Sequence, residues 1–298
     1  FQFAVPSIIA MLVGSLYNIV DQFFIGHSVG ELGNAATNIS FPLSISCVAI
    51  SLLFGIGGAS AFNISMGAGE KKKAVYYLGN SAVMLFSCGI VLCVITLMFL
   101  EPLLRFFGSP NNVLDYTKTY TGIIAFGFPF LILTTGGGHL IRADGRPKVS
   151  IICNLTGAIV NTFLDALFVF GLNMGMRGAA LATIIGQVLS AIMVIWCLSH
   201  CKTVSVGKEH LRVRKKIISR IISLGTAPFS NQLAMMVVQI VMNKSLKYYG
   251  SISVYGEAVP IACAGIITKV NQVFMSFVIG ISQGLQPITS FNYGAKKI

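Results

Sequence analysis

The chain is 298 residues long, 55% hydrophobic and only 10% charged, with a formal net charge of +12. A soluble domain carries about 25% charged residues; this composition leaves too much apolar surface for water and excludes a soluble globular fold. The positive excess does not point to nucleic acid, because the basic residues cluster in loops between apolar runs and show no aromatic–basic interleaving.

Eight apolar runs are each long enough to cross the ~30 Å hydrocarbon layer, which takes about 20 helical residues. They are predicted at 3–26, 36–66, 76–100, 116–140, 149–171, 178–199, 221–247 and 256–291, in an all-α integral membrane protein. The chain opens inside an apolar stretch with no charged leader, so it reads as cut at its front with no signal peptide to remove. Pro6, Pro42, Pro129, Pro228, Pro260 and Pro287 lie within or at the start of spans, where a missing backbone bond permits a kink. Seven cysteines fall mostly inside apolar runs without a C-x-x-C pair and read as small buried side chains.

The loops set an orientation. Lys71–Lys73, then Arg142, Arg146 and Lys148, then seven basic residues between 202 and 220, then Lys296 and Lys297 put 15 of 21 Lys and Arg on one side. The positive-inside rule makes that side cytoplasmic, with both ends of the chain there. Residues 55–72 and 280–297 repeat at a shift of 225, with six of 18 positions identical. Pro6 and Asp21 match Pro228 and Asn243 at a slightly different shift, so spans 7 and 8 repeat spans 1 and 2 in the same orientation. Parallel repeats mark many transporters. The organisation expected is a six-helix first lobe over 1–200, a basic linker over 201–220 and the first two helices of a second lobe over 221–298.

Seven of the nine acidic residues sit in or next to loops, and only Asp21 and Asp165 lie well inside spans. A carboxylate at mid-membrane costs about 2.5–3.5 kcal/mol by insertion scales, and such groups usually face a bundle interior or a water-filled cavity. Asp21 lies ~7–8 Å below the outer end of span 1 and Asp165 about six residues below the outer end of span 5. Asn161 is one turn deeper on the same face, and Thr183 on span 6 and Tyr120 on span 4 fall in the same layer. These oxygens suit Na⁺ or a proton relay; taken alone, Asn161, Thr183 and Tyr120 fit structural interhelical hydrogen bonds better, whereas Asp21 and Asp165 favour function. No G-x-x-x-x-G-K-S/T is present, so energy is expected from an ion gradient. His27 and His139 are expected at the membrane interface.

The stretches LYNIVDQFFIGHSVGELGNAATNISFP (16–42), IRADGRPK (141–148), NTFLDALFVFG (161–171), GMRGAALATIIGQ (175–187) and GLQPITSFNYGAKK (284–297) resemble the multidrug and toxic compound extrusion (MATE) family, in its bacterial MepA-like branch. The resemblance implies a twelve-helix antiporter of two six-helix lobes, of which this chain would hold eight helices. It implies export of small cationic amphipathic compounds against Na⁺ or H⁺ as coupling ion, with no other cofactor. In that family a first-lobe site carries the ion, and Asp21, Asn161, Asp165 and Thr183 match it, with Tyr120 beside them. Tyr17, Gln232, Gln239, Lys269 and Gln283 are expected to face the substrate cleft. The reading is thus a monomeric, multi-pass protein of a bacterial plasma membrane, in contact with lipid, and not an enzyme. The alternatives are a lipid-linked precursor flippase of a related class, or a truncated membrane protein that does not transport.

Overall fold

The computed structural model describes residues 5, 7–9, 11, 12, 14, 30–109, 111–254 and 258–297, and every regular element among them is helical. Most of the first expected span, Tyr17 and Asp21 included, lies outside the described residues. α1 (Glu31–Gly67) is 37 residues, about 55 Å at 1.5 Å per residue, and carries Pro42 inside it. It returns through a tight turn into α2 (Lys71–Met98). The short α3 (Leu100–Phe106) is tied to α4 (Asn111–Ala125) by Glu101, which accepts from Lys118 and Arg105; these two hydrogen bonds hold its carboxyl below the usual range.

The sequence predicts one span over 116–140, but the structure breaks it into α4 and α5 (Phe128–Ala143), bent by 56°. Pro129 explains the break: it has no N–H to give the Ala125 carbonyl, and its ring clashes with that carbonyl in a straight helix. α6 (Pro147–Asp165) runs into a π-helical turn, Ala166–Gly171, before α7 (Gly175–Ser199). A connection with one 3₁₀ turn, Lys208–Leu211, leads to α8 (Lys215–Ile252), and α9 (Ala258–Gly294) follows. Among the described residues five helices (α1, α2, α6 with its π turn, α7 and α8) are long and apolar enough to cross a membrane, and the bent α4–α5 pair makes a sixth if it is one span.

α1 is the axis of the bundle. It packs on α2, α4 and α5 on one side and on α8 and α9 on the other. Phe54, Phe62, Leu78, Leu85, Phe128, Ile132 and Leu140 fill the interior between α1, α2 and α5. The outer faces are apolar as well: Phe163 is 74% exposed and Trp196 63%. That inverted pattern is what lipid, rather than water, accommodates.

The ends of α1 and α9 show how the internal repeat is built. Ala68, Gly69 and Glu70 donate to the carbonyls of Ile64, Met66 and Ser65, while Ala295, Lys296 and Lys297 donate to those of Phe291, Tyr293 and Asn292. Both are Schellman closures with a left-handed residue at the same place, Gly69 at φ 80° and Lys296 at φ 53°. The shift relating them is 227 residues, not the 225 expected from identities. The sequence match is drawn off register by Gly294 and the two lysine pairs. Gly294 is the mate of Gly67, and the lysines are exposed charges that no packing holds in register. At the corrected shift the two ends touch symmetrically: a Cβ on Gly67 would strike the Phe291 carbonyl, and one on Gly294 the Ile64 carbonyl. Nearby, Gln286 donates to Ser60 Oγ across the α1–α9 contact at 2.8 Å.

Candidate functional site

α6 and α7 approach closely because small residues face each other. A Cβ on Gly157 would meet the Gly186 carbonyl at 2.8 Å, and one on Gly186 the Gly157 carbonyl at 2.7 Å. Ser190 on α7 donates to the Cys153 carbonyl on α6 at 2.9 Å, which fixes the register of the pair. One turn above Gly157, this register sets Asn161 against Thr183: Asn161 Nδ2 donates to Thr183 Oγ1 at 3.3 Å, and Thr183 Oγ1 donates to the Ala179 carbonyl at 2.9 Å. Asn161 and Thr183 are buried, and Asp165, one turn beyond Asn161, is 0% exposed. Asn161 Oδ1 has no hydrogen-bond partner among the described residues.

Asp165 stands where α6 passes into the π turn. Single-turn π segments occur often at functional sites, because the extra residue re-aims side chains around it. An amide and a carboxylate one turn apart on α6, with an α7 hydroxyl against the amide, are buried groups whose oxygens suit a hard monovalent cation or a proton. Of the other expected members, Tyr120 is buried on α4, which packs on α7. Asp21 and Tyr17 lie outside the described residues.

The expected cleft residues are spread along the last two helices. Gln232 and Gln239, two turns apart on α8, are half-buried on one face, and Gln283 on α9 is half-buried with its Oε1 unpaired among the described residues. Lys269 lies on α9, with its side chain outside the described residues. Sequence reasoning also passed over Gln187, one turn along α7 from Thr183. Its Oε1 is buried and unpaired among the described residues, and it sits where a Cβ on Gly127, at the α4–α5 bend, would strike it. The only sequence signal was its i, i+4 spacing from Thr183.

The largest departures concern charges assigned to loops. Asp144, at the end of α5, is fully buried. Its carboxylate accepts from Arg146 Nε at 2.7 Å, from the backbone N–H of Lys202 at 2.8 Å and of Thr203 at 3.0 Å, and from the Thr203 hydroxyl. Arg146 in turn donates to the carbonyls of Cys197 and His200, satisfying the end of α7. Beside this network, burial and then the Asp144 charge push the Cys201 thiol up to about 12. His139, one turn from the end of α5, is packed inside the bundle: it is 3% exposed, with Nδ1 at 2.9 Å from Arg142, itself buried. On α2, buried Asn80 donates to the carbonyls of His210 and Arg212 and accepts from the Arg214 N–H. The connection between α7 and α8 is therefore strapped to the bundle at both ends. RADGR shows the alternating charges from sequence; their burial depends on a connection about 60 residues away.

Known proteins agree with this architecture. The MatE family model matches residues 6–167, more than half of the chain. The multidrug export protein MepA of Staphylococcus haemolyticus (strain JCSC1435) is 28% identical over 99% of this chain and 64% of its own length, and that of Staphylococcus aureus (strain NCTC 8325 / PS 47) is 26% identical over the same shares. The chain thus spans 64% of the length of these curated relatives. An outward-facing MATE family multidrug resistance transporter of the MOP superfamily superimposes with a TM-score of 0.89 at 21% identity, over 99% of this chain and 64% of that one. A MOP superfamily transporter from Pyrococcus furiosus also gives 0.89, at 20% identity over the same shares. Both structures speak for the fold alone. With a helical bundle, membrane-length spans and a family match across most of its first six spans, the chain belongs to the MatE family of transporters.

Proposed function

We propose that the protein works in multidrug efflux as a secondary antiporter, exporting small cationic amphipathic compounds in exchange for Na⁺ or H⁺. The observation that carries the coupling site is the buried, unpaired Asn161 Oδ1 one turn from the fully buried Asp165, with Thr183 Oγ1 held against the same amide. A buried acceptor without a donor costs about 1–3 kcal/mol, and a cation or proton entering beside Asp165 removes that cost. Asp21 and Tyr120 complete the site in this reading, and Tyr17, Gln232, Gln239, Lys269 and Gln283 face the cleft between two lobes. The lobes are residues 1–200 and 221–298, joined by the linker over 201–220. The basic face is cytoplasmic, in a bacterial plasma membrane, and the protein is a monomer. Cation binding favours one of the outward- and inward-facing states, and a cationic substrate competes with it.

The test is efflux of a fluorescent cation from vesicles holding the complete protein, with the Na⁺ and H⁺ gradients collapsed in turn. Asp165→Asn is expected to abolish gradient-driven efflux while the protein stays in the membrane. Wild-type efflux in that variant would remove the coupling role.

A further inference from the structure

The basic end holds a cavity that the coupling site does not use. It encloses about 110 Å³ between the last turns of α1, the first turns of α2 and the second turn of α8. Its polar lining is Ser65, Glu70, Lys73, Tyr77 and Arg220. Ser65 and Tyr77 are 5% and 6% exposed, and both side chains line the cavity. A hydroxyl that lines a cavity can donate to an acceptor held inside it. Glu70 is answered by Lys73 at 3.1 Å. Arg220 makes no ion pair among the described residues, so the lining keeps one net positive charge. Glu70 is the N-cap of the 28-residue α2, and its side chain makes no hydrogen bond to the helix backbone.

We propose that this cavity binds a phosphate group. A cavity of about 150 Å³ holds benzene, so this volume admits a phosphate with little to spare. Donors converge from three helices: a guanidinium from α8, an ammonium and a phenol from α2, a hydroxyl from α1. That spread fits a tetrahedral oxyanion with several acceptor oxygens better than a planar carboxylate, and the guanidinium fork matches two of its oxygens. The phosphate can come from the headgroup of an anionic phospholipid or from free phosphate. The position, where apolar α1 gives way to Lys71–Lys73, is headgroup depth and favours the lipid. Occupancy would join α8 to α1 and α2, a role separate from cation coupling at Asp165.

The experiment uses the purified chain in detergent. Native mass spectrometry compares retention of dioleoyl-phosphatidylglycerol with dioleoyl-phosphatidylcholine, and thermal unfolding is followed against inorganic phosphate. The variants are Arg220→Gln, Tyr77→Phe, which keeps the ring and its packing, and Lys72→Gln as a control on the same turn outside the cavity. Wild type is expected to retain phosphatidylglycerol in preference to phosphatidylcholine. Arg220→Gln should weaken that retention about tenfold, the worth of one charge-assisted contact, Tyr77→Phe less, and Lys72→Gln not at all. Retention of the anionic lipid without a phosphate response assigns the site to a headgroup; a phosphate response lost in Arg220→Gln, without lipid preference, assigns it to free phosphate. Equal retention of the two lipids together with no phosphate response overturns the proposal, as does binding unchanged in both cavity variants.

Discussion

At the scale of single residues, the membrane turns each buried polar group into a test of what surrounds it. Asp144 passes that test fully: four donors converge on its two oxygens, from Arg146, from two backbone N–H groups and from the Thr203 hydroxyl. Asp144→Asn keeps the shape but turns one oxygen into an amine that faces donors. Breaking a buried pair costs 3–5 kcal/mol; with Arg146 still partly solvated, the lower end, about 3 kcal/mol, is expected. The apparent Tm of the solubilised protein should fall by roughly 5–10 °C. The matching change at the exposed Lys73–Glu70 pair, Glu70→Gln, should leave it within about 1–2 °C, since surface pairs contribute little. Equal shifts in the two variants would deny Asp144 its role. The sequence could mark Asp165 as costly because its apolar neighbours are its neighbours in the chain. It could not mark Asp144, whose burial is supplied by residues 202 and 203 folding back over it. The Asn161–Thr183 meeting was half legible: depth along each span placed them in one layer, but the glycines that bring α6 and α7 together decide that they touch.

At the scale of elements, hydropathy located the long helices because span length is a property of composition. It missed what backbone chemistry does inside a span. The 56° break at Pro129 leaves the apolar run of 116–140 unbroken in sequence while splitting it into two helices. The repeat register was missed by two residues because identity weighs an exposed lysine as heavily as a packed glycine. The α7–α8 connection is the other element whose packing composition does not show, since a basic stretch without apolar periodicity reads only as a linker. Asn80 ties it to α2 with three backbone hydrogen bonds between residues 210 and 214, and Arg214 lies 3.8 Å over the Tyr76 ring beside His210. Asn80→Ala removes all three bonds at once. Local opening of the strap should become about tenfold more frequent, one bond's net worth of about 1.4 kcal/mol being the least expected. The readout is the rate of limited tryptic cleavage after Arg212 and Arg214, both exposed. A cleavage rate equal to wild type would mean that the clamp does not hold the strap.

At the scale of the whole molecule, the paired ends of α1 and α9 are where the proposed antiport cycle meets the fold. Antiport requires the two lobes to close on one side of the membrane and part on the other. In that proposal the contact that would close at the basic end is a symmetric backbone one, Gly67 on the Phe291 carbonyl and Gly294 on the Ile64 carbonyl, with the Gln286–Ser60 hydrogen bond behind it. No side chain beyond hydrogen fits at either glycine, so the contact can be prevented without touching the coupling site. Gly67→Leu or Gly294→Leu should hold this end apart and shift the population toward the state open on the basic face. The shift is readable as labelling of Ser60→Cys, placed in a background lacking native cysteines, by a membrane-impermeant maleimide applied from that face. In the parent Ser60 is half-buried behind the contact and should label slowly; each leucine variant should raise the rate several-fold, and by similar amounts, because the two glycines occupy equivalent places in the repeat. Labelling that stays slow in both variants would show that the paired glycines pack the helices without gating them. A response to Gly67→Leu alone would break the equivalence on which a two-fold gate depends.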